Sequence, residues 1–395
     1  MTRFGGPFRS RPPPEGESFG SSREKLEATC VQFEDLLEGR SAEVLVAESE
    51  VGYRQRMRFS MSGRGPTLKY AMFEGSKAAA QCEGLALASA RINALMPLVL
   101  EVLRCDDVDL GGHDLRAVHV HAPTLKSGEP VVTLVYGESL GDRDQWLLAA
   151  GRARRQLAEK EDLHFVGRCK GLTLASDKDY VLEELVFPKD RVLLEFAEGS
   201  FSHPNTRANE RSVAWLRDRL RDLASGDDDD DGKKKKRVDL LELFCGAGNH
   251  TTCLASFCQT ILAVEIDPAL VKAAERNLAR NGVSNATVLR ADAQTFSNKL
   301  RRRHHKNPTL LGYDVLLVDP PRRGLDAATL DLLANFHDVL YVSCNPAALH
   351  RDLTHLTHTH TIAAFAALDA FPSTPHLECL VHLNRRRRPT NWKNE

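Results

Sequence analysis

Three short motifs contain side chains that could act as a nucleophile, a base and an anion-binding group. The motif "LYVSCNP" ends a β-type run at Cys344, and "HLEC" contains Glu378. The motif "DPPRRG" places Asp319 and Arg322 after another apolar run. Ligands of open α/β sheets bind at the carboxyl ends of the strands, so we expect the motifs to meet at one edge. Cys344 alone fits a buried thiol that fills space. Beside the other two motifs we interpret it as a presented nucleophile.

A glycine-rich turn indicates a cofactor site. Gly246 and Gly248 follow a predicted strand and precede a helix, where glycines let the backbone approach a ligand closely. Glu265 ends the next predicted strand roughly 20 residues on, where an acid can accept hydrogen bonds from ribose hydroxyls. The third glycine of a dinucleotide fingerprint is missing, and there is no P-loop motif. Together with "DPP" after a later strand, the pattern favours S-adenosylmethionine.

A methyl donor beside a thiol and a carboxylate suggests methylation of a pyrimidine at C5. C5 is a poor nucleophile, but addition of a thiolate to C6 turns the ring into an enolate that can take a methyl group at C5. A base must then remove the C5 proton so that the thiolate can leave. A cysteine at its ordinary pKa is only a few per cent thiolate at neutral pH, so the site must assist it. We expect the sulfonium charge and Arg322 to do so.

Two kinds of domain are predicted to carry these residues. Neighbouring strand candidates with a few helices indicate an α+β domain, and the later alternation of helices with apolar strands predicts a doubly wound sheet. The predicted fold is α/β, a Rossmann-like SAM-dependent methyltransferase domain preceded by an α+β domain. The predicted boundaries are a disordered N-terminus at 1–21, the α+β domain at 22–200, the methyltransferase domain at 201–388 with a charged surface insertion at 226–237, and a tail at 389–395.

The composition is that of a globular protein and argues against several classes. The 395 residues are 42% hydrophobic and 27% charged, and a net charge of −1 does not announce a nucleic-acid binder. No apolar run reaches the roughly 18–20 residues of a membrane span. The nine cysteines form no CxxC pair, which argues against a zinc ribbon, an iron–sulfur cluster or a disulfide framework. The histidines between 350 and 360 lack partner ligands, so we predict no metal site.

Six segments, in order, resemble those of the tRNA (uracil-5-)-methyltransferase family, which makes ribothymidine in the T-loop. They are "GYRQRMRF", "SFSHPNTRANERSVAWL", "DLLELFCGAGNH", "DPPRRGLD", "YVSCNP" and "FPSTPHLEC", and the likeness covers nearly all of residues 25–385. The resemblance implies that Cys344 is the nucleophile and Glu378 the base. It also implies an S-adenosylmethionine pocket lined by Phe244, Asn249, Glu265 and Asp319.

One position departs from the family pattern. His203 stands where the family has a glutamine that contacts the cofactor. A histidine keeps a hydrogen-bonding ring but changes reach and protonation. We therefore expect a weaker cofactor contact, or one made through a different atom. Relatives that methylate ribosomal RNA commonly carry clustered N-terminal cysteines, and the dispersed cysteines here favour the tRNA branch.

The predicted RNA contacts lie mainly in the α+β domain, at Tyr53, Arg54, Arg56 and Arg58, with Arg322 added from the second domain. Strand alternation would send the three arginines of the first group to one side, which suits phosphates. A solvated strand face with ordinary ion pairs is the alternative. Arginine clusters at 301–303 and 385–388 could extend this surface. A stacked T-loop uridine must also be extruded, at a cost of a few kcal/mol.

Several hypotheses stay open at this point. The leading one is methylation of C5 of a T-loop uridine in tRNA. The others are a tRNA-binding or folding factor with impaired catalysis, motivated by His203; the same chemistry on ribosomal or another structured RNA; and an amino-methyltransferase, since "DPP" resembles that chemistry. We expect a monomer with the tRNA T-arm as partner, no membrane or metal, and a cytoplasmic location, with organellar import left open.

Overall fold

The structure, a computed structural model, describes residues 22–45, 51–74, 77–81, 85–111, 114–224, 237–306, 312–374 and 376–386. The predicted N-terminus at 1–21, nearly all of the charged insertion and the predicted tail lie outside these residues. The helices are α1 (Ser22–Gln32), α2 (Glu34–Leu37), α3 (Ala90–Arg104), α4 (Arg143–Leu157), α5 (Thr206–Ala224), α6 (Asn249–Leu254), α7 (Pro268–Arg280), α8 (Ala293–Lys306), α9 (Ala327–Leu333) and α10 (Pro346–Leu356). The strands are β1 (Glu43–Leu45), β2 (Arg56–Ser62), β3 (Lys69–Glu74), β4 (Lys77–Gln81), β5 (Leu115–His121), β6 (Val131–Tyr136), β7 (His164–Cys169), β8 (Leu172–Ala175), β9 (Tyr180–Val186), β10 (Arg191–Ala197), β11 (Val238–Leu243), β12 (Cys258–Glu265), β13 (Ala286–Arg290), β14 (Val315–Val318), β15 (Asp338–Ser343), β16 (His360–Leu368) and β17 (Glu378–Arg385).

Contacts divide the described residues into two compact units. The first contains those of Glu48–Glu184 and Glu195–Thr206, and the second those of Gly20–Ala47, Leu185–Leu194 and Arg207–Glu395. The segment that holds α1, α2 and β1 joins the second unit because α1 and α2 pack against β16 and β1 pairs with it. The domain limits of 22–200 and 201–388 stay a prediction from sequence. Within the described parts of the chain, none of the helices has the length and apolarity required to cross a membrane.

The first unit is built on a seven-stranded sheet in the order β4-β3-β2-β5-β6-β7-β8. Its pairs are antiparallel except β6 with β7, which run parallel and are joined through α4. Buried side chains of α3 and α4 share one core with the sheet. The alternation of β2 sends Phe59 and Met61 into that core and places Arg56 and Arg58 on the other face, as the sequence pattern predicts. The strands β9 and β10 form a separate pair.

The second unit is an eight-stranded sheet in the order β1-β16-β17-β15-β14-β11-β12-β13. Only β17 runs antiparallel to its neighbours. The central strands β14 and β15 are buried at every position, as expected for parallel strands covered on both faces. The predicted doubly wound α/β fold is thereby confirmed.

The strand order creates a switch point beside β11. From β11 the chain moves outward to β12 and β13, and then returns to build β14 and β15 on the other side of β11. Crossovers between parallel strands are right-handed, so the helices after β11 and β14 cover opposite faces. A crevice therefore opens at the carboxyl ends of β11 and β14, which is where ligands bind in such sheets.

Candidate active site

The register of the sheet brings the thiol and carboxylate motifs together. The ladder between β15 and β17 pairs Ser343 with Cys379, so the next position on each strand sets Cys344 opposite Glu378. Opposed residues in an antiparallel ladder have Cβ atoms about 4.5–5.5 Å apart. Asp319 follows the end of β14, which pairs with β15. Backbone hydrogen bonding therefore fixes the relative positions of these three groups.

The surroundings of Cys344 oppose ionisation of its thiol. The side chain is half-buried, at the carboxyl end of β15. Burial, followed by the nearby Asp319 and Glu378, raises the pKa of the thiol to about 11, while Arg322 lowers it. The thiol thus stays protonated at neutral pH in the ligand-free protein. Added positive charge in the crevice would favour the thiolate.

Two acidic side chains lie near this thiol. The pKa of Asp319 is raised well above its usual value of 3.8 by partial burial, followed by the charges of Glu378 and Glu242, although its side chain keeps 38% of its exposure. Glu378 is 8% exposed. The negative charge of Glu378 disfavours ionisation of Asp319. His250 also lies close, with Nδ1 3.9 Å from Asp319 Oδ2.

Hydrogen bonds tie the three active-site loops to one another. Asn345, next to the candidate nucleophile, donates from Nδ2 to the carbonyl of Arg322 at 2.7 Å. The Arg322 guanidinium in turn lies 3.1 Å from Nδ1 of His376, two residues before Glu378. The loop of "DPPRRG" is therefore connected on one side to Cys344 and on the other to the carboxylate segment.

The glycine-rich turn after β11 has the conformation that its sequence predicts. Gly246 and Gly248 adopt φ of +57° and +78°, and Phe244 also has a positive φ, at +65°. A Cβ on Gly248 would press on Ala274 at 3.0 Å, whereas the space around a Cβ on Gly246 is open. Close packing against Ala274 therefore requires glycine at position 248, whereas the space beside Gly246 is open.

The acid after β12 is held by this turn. Glu265 accepts hydrogen bonds from the backbone N–H groups of Gly246 (3.0 Å), Ile266 (2.7 Å) and Asp267 (2.8 Å). An ionised carboxylate has about four acceptor positions, so capacity remains for a ribose hydroxyl. Asn249, the first residue of α6, forms a reciprocal amide pair with Asn209, with N···O distances of 2.9 and 3.0 Å. Open space beside Gly246 and an oriented carboxylate fit an adenosyl cofactor.

The remaining predicted cofactor residue, His203, lies in the first unit. Its Nδ1 accepts a hydrogen bond from the backbone N–H of Asn205 at 3.1 Å. With Nδ1 as acceptor, a neutral ring carries its proton on Nε2. In that tautomer the N–H donor is at Nε2, which is a buried atom.

The predicted RNA residues of the first unit lie on and next to β2. Tyr53 is buried, and the Arg54 guanidinium lies 5.7 Å from its ring centroid. Arg56 donates to the carbonyl of Ser200 at 2.5 Å, and burial followed by the charge of Arg58 lowers its pKa to about 10. Arg58 is exposed. The two strand arginines share a face, and Arg56 is the more enclosed of the two.

The two additional arginine clusters are only partly described. Arg301 pairs with Asp331 at 2.9 Å, and Arg386 pairs with Glu38. Residues 387 and 388 and the side chain of residue 303 lie outside the described residues. Both pairs are ordinary surface ion pairs, and such pairs contribute little to stability.

Two buried acids near the crevice were not predicted from the sequence. Glu242 of β11 is 1% exposed and accepts from Thr251 Oγ1 at 2.6 Å, and burial raises its pKa to about 7. Asp352 of α10 is fully buried and accepts from Tyr341 Oη (2.7 Å) and the N–H of Leu325 (2.9 Å). A sequence pattern could have indicated Asp352, because it is an acid on the apolar face of an amphipathic helix.

Comparison with known proteins agrees with this arrangement. The family model described as "tRNA (Uracil-5-)-methyltransferase" matches residues 20–386. A tRNA/tmRNA (uracil-C(5))-methyltransferase of Psychromonas ingrahamii is 34% identical over 349 residues, which cover 86% of this chain and 90% of that protein. A protein of the same name from Chromohalobacter salexigens is 35% identical over 346 residues, covering 85% and 87%.

A solved structure shares the fold. The tRNA (uracil-54, C5)-methyltransferase of Pyrococcus abyssi, in complex with S-adenosyl-L-homocysteine, aligns with a TM-score of 0.67 and 19% identity. The alignment covers 92% of this chain and 83% of that one. The match of the family model over most of the chain confirms the resemblance seen in the sequence: the chain belongs to the tRNA (uracil-5-)-methyltransferase family.

Proposed function

We propose that the chain methylates C5 of a T-loop uridine in tRNA through a covalent bond between Cys344 and C6 of the base. The reaction of its family is S-adenosylmethionine-dependent methylation of uracil C5 in tRNA. The proposed target is the uridine at position 54, because the name of the archaeal protein of the same fold specifies uracil 54. The single observation that carries the covalent route is the opposition of Cys344 and Glu378 across the β15–β17 ladder.

The nucleophilic step is assigned to Cys344. Its thiolate adds to C6, which forms the S–C6 bond and moves the ring electrons to C5 and O4. The thiol has a pKa of about 11 in the ligand-free protein, so ionisation must accompany ligand binding. Arg322, which already lowers this pKa, supplies part of the required positive charge.

The cofactor site is assigned to the crevice beside β11. Phe244, Asn249, Glu265 and Asp319 would hold S-adenosylmethionine. A contact of His203 with the cofactor stays a prediction from the sequence. When bound, the cofactor supplies an electrophilic methyl group for C5. Glu265 is oriented by three backbone N–H groups and is suited to bind ribose hydroxyls.

The elimination step is assigned to Glu378. After methylation, C5 still carries its proton, and the adduct cannot break down until that proton leaves. The Glu378 carboxylate removes it, the C5–H electrons restore the C5=C6 bond, and the S–C6 bond breaks to release Cys344. The carboxylate is 8% exposed, so few waters compete with the adduct for it.

The RNA surface is assigned to Tyr53, Arg54, Arg56 and Arg58, with Arg322 near the reacting base. The exposed guanidinium of Arg58 and the basic face of β2 support contacts to T-arm phosphates. The acting form is proposed to be a cytoplasmic monomer, which is the expectation from sequence.

The test uses radiolabelled S-adenosylmethionine and a T-arm hairpin with uridine or cytidine at the target position. We expect label only in the uridine hairpin. In Cys344→Ala the rate of label incorporation should fall at least about 10³-fold. Cys379→Ala is the matched control, since it removes the neighbouring buried thiol on β17. Full methylation by Cys344→Ala would contradict the covalent route. Tight hairpin binding by the wild type without any label would support the alternative of a catalytically impaired tRNA-binding factor.

A further inference from the structure

The loop that precedes Glu378 is folded around one ammonium group. This loop connects the end of β16 at Leu368 with Glu378, the first residue of β17. Lys25 of α1 places Nζ 2.6 Å from Asp369 Oδ1, 2.9 Å from the carbonyl of Thr374, and 3.2 Å from the carbonyls of Phe371 and His376. Three carbonyls and one carboxylate along one short loop thus converge on a single cation.

Lysine suits this position for a physical reason. Its three N–H donors carry full charge, so they can satisfy several inward-pointing oxygens at once. The Lys25 side chain is 13% exposed and that of Asp369 is fully buried, so water cannot readily take over the role. The loop has further internal bonds, such as Thr374 Oγ1 to the carbonyl of Phe371 at 2.7 Å. These shape its turn, while Lys25 links its beginning, middle and end.

The connection from this ammonium to the candidate base is short. His376, whose carbonyl accepts from Lys25, is two residues before Glu378, and its ring contacts Arg322 of the neighbouring loop. A carboxylate that removes a proton must be held within hydrogen-bonding reach, and a misplacement of about 1 Å can cost about 10² in rate. The position of Glu378 therefore depends on an N-terminal helix more than 300 residues away in sequence.

We propose that Lys25 is a positioning residue for the elimination step: it sets the Glu378 carboxylate by holding Asp369, Phe371, Thr374 and His376. The inference rests on the proposed role of Glu378 as the base. It predicts a specific kinetic defect. Loss of Lys25 should leave addition of Cys344 to C6 intact but slow removal of the C5 proton, so the covalent enzyme–RNA adduct should accumulate.

The test compares Lys25→Met with Glu378→Gln on a uridine T-arm hairpin and labelled cofactor. Methionine keeps the length of the side chain and removes its charge. We expect kcat to fall about 10²-fold, with labelled adduct visible on a denaturing gel, while KM for S-adenosylmethionine changes less than about threefold. Arg23→Met is the matched control, because it removes an exposed cation from the same helix, which pairs with Glu27 within the described residues. It should turn over like the wild type.

The result separates the inference from the function on which it rests. Adduct with Glu378→Gln, together with wild-type turnover by folded Lys25→Met, would overturn the role of Lys25 alone. Absence of adduct with Glu378→Gln would instead overturn the assigned base. Lys25→Met can also be assayed on a 5-fluorouridine hairpin, which traps the adduct. If the variant loses cofactor binding and adduct formation to the same extent, Lys25 has only a structural role.

A second variant guards against unfolding. Removing Lys25 leaves the buried Asp369 carboxylate without its cation, which is strongly destabilising. The double variant Lys25→Met/Asp369→Asn removes both charges of the pair and should fold, while the loop carbonyls still lack their cation. We expect adduct accumulation in this variant as well. Normal turnover of the folded double variant would contradict the proposal.

Discussion

At the scale of single residues, Cys344 lies in surroundings that keep it inert until ligands arrive. Its pKa of about 11 arises from burial and two acids, and Arg322 only partly offsets them. A thiol that ionises only in the complete complex is protected from oxidation and from stray electrophiles in the free protein. The reactivity of Cys344 should therefore report directly on the charge brought into the crevice.

Alkylation of Cys344 by iodoacetamide tests this dependence. Below a pKa of about 11 the thiolate fraction rises tenfold per pH unit, so the ligand-free rate should increase steadily from pH 7 to 10. A cation nearby favours the thiolate, so S-adenosylmethionine should accelerate alkylation at pH 8 about tenfold relative to S-adenosylhomocysteine. The second ligand is the control, because it fills the site without a sulfonium charge. Peptide mass spectrometry follows Cys344, and equal rates with the two ligands would refute the expectation.

Residue types were predicted from the sequence more readily than their surroundings. Cys344, Glu378, Asp319 and Glu265 were identified because they stand at the ends of apolar strand candidates. The partners of Lys25 could not be predicted, because they lie 344 to 351 positions away in the sequence. The contacts of Asp352 depend on how α10 packs against β15 and the loop after β14. Local patterns specify which face of an element is buried, but not what covers it.

At the scale of elements, the turn after β14 is locked against α10. Gly324 has φ of +79°, and a Cβ added there would lie 2.5 Å from Arg351 Nη2 and 2.6 Å from Asp352 Oδ2. Arg351 donates to Asp352 and to the carbonyl of Arg323, so the helix holds the loop at several points. A change at Gly324 thus disturbs the buried acid as well as the backbone.

Substitution of Gly324 should cost more than substitution of another left-handed glycine. Gly324→Ala combines backbone strain with displaced hydrogen bonds of a buried carboxylate, and we expect a loss of about 2–4 kcal/mol in the free energy of unfolding. Gly282, which follows α7 with φ of +63°, has open space around an added Cβ, so Gly282→Ala should cost about 1–2 kcal/mol. Urea unfolding of both variants measures the difference. Losses of equal size would show that the contacts with α10 contribute nothing.

The element pattern of the second unit followed from the sequence because its signals are strong. Helix α7 ends at Arg280, two residues before Gly282, and glycine is common just after the C-terminus of a helix. The buried runs of β14 and β15 are continuous. Such alternation predicts right-handed crossovers between parallel strands, but not the order of the strands in the sheet. No local sequence pattern predicts that β17 lies antiparallel between β15 and β16. This placement is what brings Cys344 opposite Glu378.

At the scale of the whole molecule, the N-terminal helices are part of the second unit's core. The spacing of Leu26, Cys30, Phe33 and Leu37 is typical of one helical face, and the structure has α1 and α2 with a break at Phe33. The pattern could not say which unit the helix joins. Phe33 is fully buried, with its ring 4.7 Å from that of Phe365 in β16.

An N-terminal substitution should therefore destabilise the methyltransferase sheet. Phe33→Ala removes a buried ring, and we expect a loss of about 3–5 kcal/mol from the second unit. Val31→Ala, at a position 67% exposed, is the control and should cost less than about 0.5 kcal/mol. Urea titration with S-adenosylmethionine binding as the readout reports on this unit. If both variants lose S-adenosylmethionine binding at the same urea concentration as the wild type, Phe33 does not contribute to the core of the second unit.

The pairing of β1 with β16, and the contact of Lys25 with Asp369, also constrain how the protein is made. The two contacting residues are separated by 344 positions, so the first helix leaves the ribosome long before its partners exist. At about 5–20 residues per second, that interval is roughly tens of seconds. The sheet of the second unit can close only after β16 has been translated. Until then Leu26 and Phe33, which are fully buried in the folded unit, have no core to enter, which makes their segment a natural substrate for chaperones during synthesis.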